Sequence, residues 1–100
     1  MSVTAISRDD GKKVKLSING RFDFSQHTDF RNSYRHQSPE ADYVVDMQHA
    51  EYLDSAALGM LLLLREHAGN DSSKVSIINT PVEIMQVFKN SKFENLFKIS

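Results

Sequence analysis

The chain lacks cysteine and tryptophan, and it has only two prolines and four glycines among its 100 residues. Without cysteine it has no disulfides, no thiolate catalysis and no cysteine-ligated zinc site, and it is compatible with a reducing compartment. The formal net charge is −1, so the chain has no excess of basic residues with which to bind a nucleic-acid backbone. We therefore expect no nucleic-acid partner.

Long apolar runs are also absent. The longest, residues 56–64, is interrupted by Gly59 and has about half of the roughly 20 residues that a membrane-spanning helix needs. The first residues contain no basic segment followed by an apolar one, so no secretory signal is visible. With 40% hydrophobic and 25% charged residues, the composition is that of a folded globular domain. We expect a single cytoplasmic domain over residues 1–100 that does not enter a membrane.

Alternating and continuous apolar patterns predict the strands. Apolar residues alternate with polar ones from residue 14 to 18, a period-two pattern typical of a half-buried strand. A weaker strand over 3–8 precedes it, and Asp10-Gly11 between them favours a tight hairpin turn. The run "YVVDM" at 43–47 lacks alternation and predicts a strand covered on both faces. Two further short strands are predicted at residues 74–78 and through Phe97 and Ile99.

Capping residues and apolar spacing predict three helices. Asp23 or Ser25 can open a first helix that has ended by Pro39, with an inner stripe of Phe30 and Tyr34. The second follows Asp54-Ser55 and ends near Gly69-Asn70, where a left-handed residue is favourable. For the third, Thr80 and Glu83 form a predicted capping box, with Pro81 at the first helical position. Its predicted core stripe includes Val82, Ile84, Met85, Val87 and Phe88.

The order of these elements predicts the fold class. It is α/β, with a small mixed sheet opened by an N-terminal hairpin and helices packed on one face, in the order ββαβαβαβ. Such folds most often have their functional residues in the loop between a central strand and the next helix. Here that loop is "QHAEYLDS", residues 48–55.

Catalytic and metal-binding patterns are missing around this loop. The chain has no glycine-rich phosphate loop and no G-x-S-x-G elbow at Ser55, and no histidine or lysine is obviously committed to that serine. The histidines lack the i, i+4 spacing of a metal pair and have no cysteine partners. We therefore expect no enzyme activity, no metal and no cofactor. The four histidines, expected at ordinary surface positions, are His27, His36, His49 and His67. Of these, His49 is close enough in sequence to Ser55 to interact with a charge placed on that serine.

The run "VVDMQHAEYLDSAALGMLLLLREH" resembles the signature of the STAS domain family, which sulfate transporter tails and anti-sigma factor antagonists share. In that family a buried strand ends in Asp, and Asp-Ser-Ser/Thr-Gly-Leu-Gly begins the next helix. Asp46 matches the first Asp, Asp54-Ser55 the Asp-Ser pair, and Leu58-Gly59 the Leu-Gly. Ala56 and Ala57 depart from the motif. "INGRFD" at 18–23 and the segment 79–99 are similar to other parts of the family, so the resemblance spans nearly the whole chain.

The resemblance implies a phosphorylation-controlled bacterial regulator. In the antagonist branch the unmodified protein binds an anti-sigma factor that is also a serine kinase, and this binding releases a sigma factor. The kinase then phosphorylates the motif serine, and a serine phosphatase restores the complex. By position Ser55 is the phosphoacceptor, and Ala56 leaves it as the one hydroxyl of the motif. The family often has a final helix beyond the position of Ser100.

The implied partner surface comprises the Asp23 loop, the 48–55 loop and the first turns of the following helix. Several alternatives stay open. From the residues alone, Asp54 and Ser55 could simply cap a helix; Tyr52 could anchor the loop or contact a partner; and the leucines after Ser55 could meet a neighbouring helix or a partner. The domain could also be an unphosphorylated accessory subunit that docks on a transporter or another signalling protein. The predicted partner-binding residues are Asp23, His49, Tyr52, Asp54, Ser55, Ala56, Leu58, Gly59 and Leu62.

Overall fold

A computed structural model of the chain describes residues 3–100. They form an α/β fold with one five-stranded sheet and three α-helices. Short 3₁₀ turns lie at residues 24–26, 70–72 and 93–95. The fold class is the one that the sequence predicts. In chain order the elements are β1 (Val3–Arg8), β2 (Lys13–Phe22), α1 (His27–Tyr34), β3 (Asp42–Leu53), α2 (Ser55–His67), β4 (Val75–Ile78), α3 (Val82–Asn90) and β5 (Lys98–Ile99).

The five strands lie in the sheet in the same order as in the chain. β1 and β2 are antiparallel, and each later strand is parallel to the one before it. The hairpin turn takes positive φ at Asp9, Asp10 and Gly11, in agreement with the predicted Asp10-Gly11 turn. Each parallel connection contains one helix, as parallel strands require.

The core lies between the three helices and one face of the sheet. Alternate residues of β2 and of the first half of β3 face this core, while the side chains between them lie on the other face. Phe30 and Tyr34 of α1 are buried as predicted, and Gly69 has φ 107° where α2 ends. Burying each large apolar side chain contributes about 1.5–3 kcal/mol. The largest fully buried side chains include Leu16, Ile18, Phe22, Phe30, Tyr43, Met47, Leu61, Leu64, Ile77 and Phe88.

The predicted loop at residues 48–55 is mostly strand. β3 continues to Leu53 and pairs with the second half of β2, after register shifts between Ser17 and Asn19 and between Gly20 and Arg21. Such irregularities break the period-two alternation by which a strand is recognised in a sequence. The loop prediction is therefore wrong, and His49 and Tyr52 lie on a strand.

The capping box predicted for α3 does not form. The N-cap is Pro81, with no side-chain hydrogen bond, and its carbonyl accepts from the Met85 N–H at 2.8 Å. Thr80 instead joins the sheet edge, where its N–H donates to the Ser100 carbonyl at 3.1 Å. Its hydroxyl is buried and has no hydrogen-bond partner among residues 3–100. Attachment to the sheet thus prevails over the local capping preference of Thr80 and Glu83.

The predictions for the core stripe of α3 and for the last strand are partly wrong. Ile84 and Phe88 are buried as predicted, but Val82 is 81% exposed because the helix begins there at the edge of the layer. The last strand covers only Lys98–Ile99, and Phe97 precedes it as a buried core residue. Among the described residues, no helix is both long and apolar enough to cross a membrane.

Candidate functional site

The sheet brings the predicted site residues of β2 and β3 to one edge. Phe22 pairs with Leu53 in parallel register, so the residues that follow them, Asp23 and Asp54, leave the same edge of the sheet. Asp23 leads into α1 and Asp54 into α2. This edge is the place where open α/β sheets most often bind ligands and partners. Ser55 begins α2 here.

Asp54, and not Ser55, caps the second helix. The Asp54 backbone is extended, with φ −120°, and its carboxylate accepts from the Ala57 N–H at 3.0 Å. Ser55 is the first helical residue, and it is exposed. In the described part of the chain its hydroxyl makes no hydrogen bond. The cap and the free hydroxyl therefore belong to different residues, an arrangement that the sequence alone left open.

Asp23 caps the turn that follows β2. Its carboxylate accepts from the Ser25 N–H at 3.0 Å and from the Ser25 hydroxyl. The Arg21 Nε lies 3.3 Å from the other carboxylate oxygen. The Ser25 hydroxyl, helped by the Ser25 N–H and Arg21 against the opposing effect of desolvation, holds the pKa of Asp23 below its ordinary value. Asp23 is therefore a fixed negative charge at neutral pH.

Arg21 connects Asp23 to Tyr52. The two residues Arg21 and Tyr52 are register partners on β2 and β3, and the Arg21 Cζ lies 3.9 Å from the centroid of the Tyr52 ring. This cation–π contact holds a tyrosine that is still 39% exposed. The sequence prediction missed Arg21. Its position near the end of β2, two residues before Asp23, was the available signal.

The exposed face of α2 carries most of the remaining candidates. Ser55, Leu58, Gly59 and Leu62 are spaced i, i+3, i+4 and i+7, so they form one stripe along the helix; we call these four residues the Ser55 stripe. Leu58 is partly buried against the core, Gly59 is exposed, and Leu62 is 40% exposed. Ala56, partly exposed, lies beside the stripe.

The sequence prediction also missed Phe24, an exposed apolar residue at the same edge. It follows Asp23 directly, is 69% exposed and stacks on His27 with ring centroids 5.4 Å apart. An aromatic residue in a short capping turn has little of the sheet to pack against. It is therefore available to a partner.

The histidines have separate positions. His49 is exposed on β3 opposite Asn19, roughly 15 Å of strand before Asp54, so the structure does not bring it to Ser55. His67 is not an ordinary surface residue, because it packs between the rings of Tyr34 and Tyr43. Within residues 3–100, no group of three or more His, Cys, Asp or Glu side chains is placed to hold a metal ion.

Comparison with known proteins identifies the family. The family model described as "Mlab, STAS domain" matches residues 7–98. The chain belongs to the STAS domain family. A STAS-domain containing protein of Pseudomonas aeruginosa (strain UCBPP-PA14) is 48% identical to it over 101 residues, and the match covers the whole of both chains.

Several solved structures share this fold. The anti-sigma factor antagonist SpoIIAA in its unphosphorylated form is similar over 99% of this chain and 88% of its own, with a TM-score of 0.79 and 12% identity. The phosphorylated form of Bacillus SpoIIAA gives a TM-score of 0.67 at 10% identity, over 99% of this chain and 91% of its own. A sulfate transporter family protein from Wolinella succinogenes gives 0.75 at 13% identity, over 94% and 79%. At these identities the likeness concerns the fold.

Proposed function

We propose that this STAS domain is an anti-sigma factor antagonist that is switched off by phosphorylation of Ser55. In the unmodified state it binds an anti-sigma factor with serine kinase activity and thereby releases a sigma factor. The observation that carries the proposal is the exposed Ser55 hydroxyl at the first position of α2, free of the capping role that Asp54 fills. The STAS fold is that of a binding module, which supports a binding role and not a catalytic one.

The chemistry at Ser55 needs no catalytic group from this chain. The kinase transfers the γ-phosphoryl group of ATP to the Ser55 Oγ, with release of ADP and a proton. A serine phosphatase removes the group with water as the nucleophile. An exposed hydroxyl at a helix start is accessible to both enzymes. We propose that the cycle takes place in the cytoplasm.

The fold should tolerate a phosphate at this position. A phosphate brings about −1.5 to −2 charges at neutral pH. The first turn of α2 directs backbone N–H groups toward Ser55, and negative charge near a helix N-terminus is stabilising by about 0.3–1 kcal/mol. Because Ser55 is exposed, the phosphate remains hydrated in the free protein. Modification therefore leaves the free domain folded.

The same charge should prevent a partner from docking. A partner that covers the Ser55 stripe removes water from the phosphate while Asp54 is adjacent and Asp23 lies at the same sheet edge. Burying a charge beside like charges costs several kcal/mol. Each 1.4 kcal/mol weakens binding about tenfold, so a micromolar complex is lost.

A phosphorylation and pull-down assay tests this proposal. The protein is incubated with an ATPase-fold candidate kinase and ATP, and the modified site is mapped by mass spectrometry. Phosphate is expected on Ser55 alone. In pull-downs with the kinase, Ser55→Ala binds constitutively and Ser55→Asp fails to bind.

A matched pair of control variants is available at Ser7. This serine is exposed on β1 opposite Val14, at the end of the sheet away from Ser55. Ser7→Ala and Ser7→Asp are expected to bind and to be phosphorylated like the wild type. Phosphate on another residue, or equal capture of Ser55→Asp and wild type, would contradict the proposal.

A second candidate function is an accessory subunit that docks on a transporter or another signalling protein without phosphorylation. The fold similarity to a sulfate transporter family protein favours this alternative. In that case wild type, Ser55→Ala and Ser55→Asp would bind the partner alike, and no kinase would modify Ser55. The pull-down therefore separates the two functions.

A further inference from the structure

Within residues 3–100, no helix covers the face of the sheet opposite α1, α2 and α3, which we call the bare face, although three of the four strand pairings are parallel. Parallel sheets are normally covered on both faces. One register row crosses this face from β1 to β5 and joins Ile6, Lys15, Val44, Ser76 and Lys98. With strands about 4.8 Å apart, the row is roughly 19 Å long. The side chains of this row line an open groove on the bare face.

The floor of this groove is apolar. It is lined by Ile6, Val44, Ile78 and Leu96, which we call the apolar floor. Ile6 is 43% exposed and Leu96 is exposed to a similar degree, while Val44 and Ile78 are partly exposed. A partner that covers these side chains gains free energy in proportion to the apolar area it buries.

Basic residues lie toward both ends of the register row, at β1–β2 and at β4–β5. The groove lining contains five basic side chains and one acidic one, Asp42. Three of the five are paired: Lys13 lies 3.8 Å from Asp9, Lys15 lies 3.3 Å from Asp46, which also faces this side, and Lys74 lies 3.9 Å from Asp42. The remaining two basic residues of the groove, Arg8 and Lys98, have no acidic group within 4.0 Å among residues 3–100. We call the two groups the basic rims: Arg8, Lys13 and Lys15 on the β1–β2 side, and Lys74 and Lys98 on the β4–β5 side.

We propose that the bare face binds an acidic amphipathic helix of a partner protein. The helix lies along the register row, its apolar stripe covers the apolar floor, and carboxylates near its two ends reach the two basic rims. A helix of about 13 residues is as long as the register row. A fatty acid or similar amphiphile has one charged end and would match one rim, whereas basic rims at opposite ends of the row fit a ligand with anions at both ends. The bound helix would supply the missing layer of the sheet.

This proposal is independent of the phosphorylation of Ser55. Ser55 lies beyond the end of β3 on a helix that covers the opposite face, whereas the groove faces away from all three helices. The domain would therefore hold one partner at the Ser55 stripe and another on the bare face. Binding at the groove is expected to be the same in wild type and Ser55→Asp.

A designed peptide provides the test. The probe is a labelled 14-residue helical peptide with leucines along one face and glutamates near both ends, and its affinity for the full chain is measured by fluorescence anisotropy. The double variant Arg8→Glu/Lys98→Glu reverses the charge of one unpaired basic residue in each rim. The matched control, Arg31→Glu/Lys89→Glu, makes the same charge change at exposed positions on α1 and α3. We expect the rim variant to weaken binding at least tenfold and the control to bind like the wild type.

Further arms make the result decisive. Ile6→Gln tests the apolar floor at an exposed position, and it should weaken binding several-fold while the thermal unfolding curve stays unchanged. A peptide with lysines in place of the glutamates should not bind. Failure of the acidic peptide to bind wild type, or equal weakening by the rim and control variants, would overturn the proposal. Binding of phosphatidylglycerol vesicles in place of the peptide would also overturn it.

Discussion

Two adjacent residues at the start of α2 have separate tasks. Asp54 caps the helix, because its carboxylate accepts a hydrogen bond from the Ala57 N–H, one of the free backbone donors of the first turn. Ser55 makes no such bond within the described chain and presents its hydroxyl to solvent. A residue that has no structural partner can be modified without loss of native contacts. Stability and regulation can therefore be tested by different substitutions.

Substitution of Asp54 tests the capping role. Asp54→Ala should lower the free energy of unfolding by about 1 kcal/mol because the Ala57 N–H loses its acceptor. Asp54→Asn keeps an oxygen at the same position and should remain within a few tenths of a kcal/mol of wild type. Ser55→Ala should change stability by less than about 0.5 kcal/mol. Urea denaturation measures all three, and an equal loss in the Ala and Asn variants would mean that the charge of Asp54, not its cap, is what matters.

The lowered pKa of Asp46 predicts how the stability of the domain depends on pH. Burial acts to raise the pKa of Asp46, but hydrogen bonds from the Gln48 N–H and the Asn79 amide, together with Lys15, hold the pKa below its ordinary value of 3.8. A lowered native pKa gives stability that is present above pH 3.8 and is lost as the pH falls through the native value. We expect Asp46→Asn to reduce stability at neutral pH and to flatten its decline in acid.

Denaturant unfolding of wild type and Asp46→Asn from pH 7 down to pH 2 measures this effect. Asp71→Asn is a suitable control, because Asp71 pairs with Arg65 but is fully exposed. The control should follow the wild-type curve. An acid decline that is equally steep in Asp46→Asn and wild type would show that other carboxylates cause it.

At the scale of single elements, α2 has a glycine in the middle of its exposed stripe. A Cβ added at Gly59 would meet no atom within 4 Å, and the residue does not take a positive φ. Gly59→Ala should therefore raise the free energy of unfolding by about 0.5–1 kcal/mol. If the partner approaches the Ser55 stripe closely, the same methyl group should weaken binding of the kinase.

Thermal unfolding and calorimetric binding of Gly59→Ala together test this prediction. Lys89→Ala, at an exposed position on α3, serves as the control and should leave the affinity unchanged. Increased stability with lower affinity is the expected result. Increased stability with unchanged affinity would show that the partner does not contact the helix at Gly59.

The elements also differ in how well their sequences predict them. The alternation at residues 14–18 and the Phe30–Tyr34 spacing give correct predictions, because one continuous face of each element is buried. The second half of β3 was predicted as a loop because register shifts leave Ala50 and Leu53 as its buried residues, three apart. Regular packing leaves a local periodic pattern, whereas an irregular strand pairing is determined by its neighbour.

The candidate site shows the same division. Asp23, Asp54 and Ser55 could be selected from local capping patterns and from the family motif, and the sheet brings them to one edge. Arg21 was missed because its contact with Tyr52 depends on strand register, which follows only from the fold. His49 was selected by its distance along the chain, but the extension of β3 keeps it away from Ser55.

For the whole molecule, the net charge conceals an uneven distribution. The overall charge is −1, yet five basic side chains and one acidic one line the groove on the bare face, with Asp46 beside it. Asp23 and Asp54, in contrast, lie together at the edge that carries Ser55. The two surfaces should consequently select partners of different charge. Composition alone could not indicate this, because it averages over both faces.

The central claim is that a phosphate on Ser55 leaves the domain folded and prevents it from binding its kinase. The most direct test uses protein phosphorylated at Ser55 to completion, with its thermal unfolding and its affinity for the kinase measured beside those of the unmodified protein. We predict an unfolding midpoint within a few degrees of the unmodified one and an affinity at least about tenfold weaker. Unchanged affinity, or loss of the folded state on phosphorylation, would contradict the account.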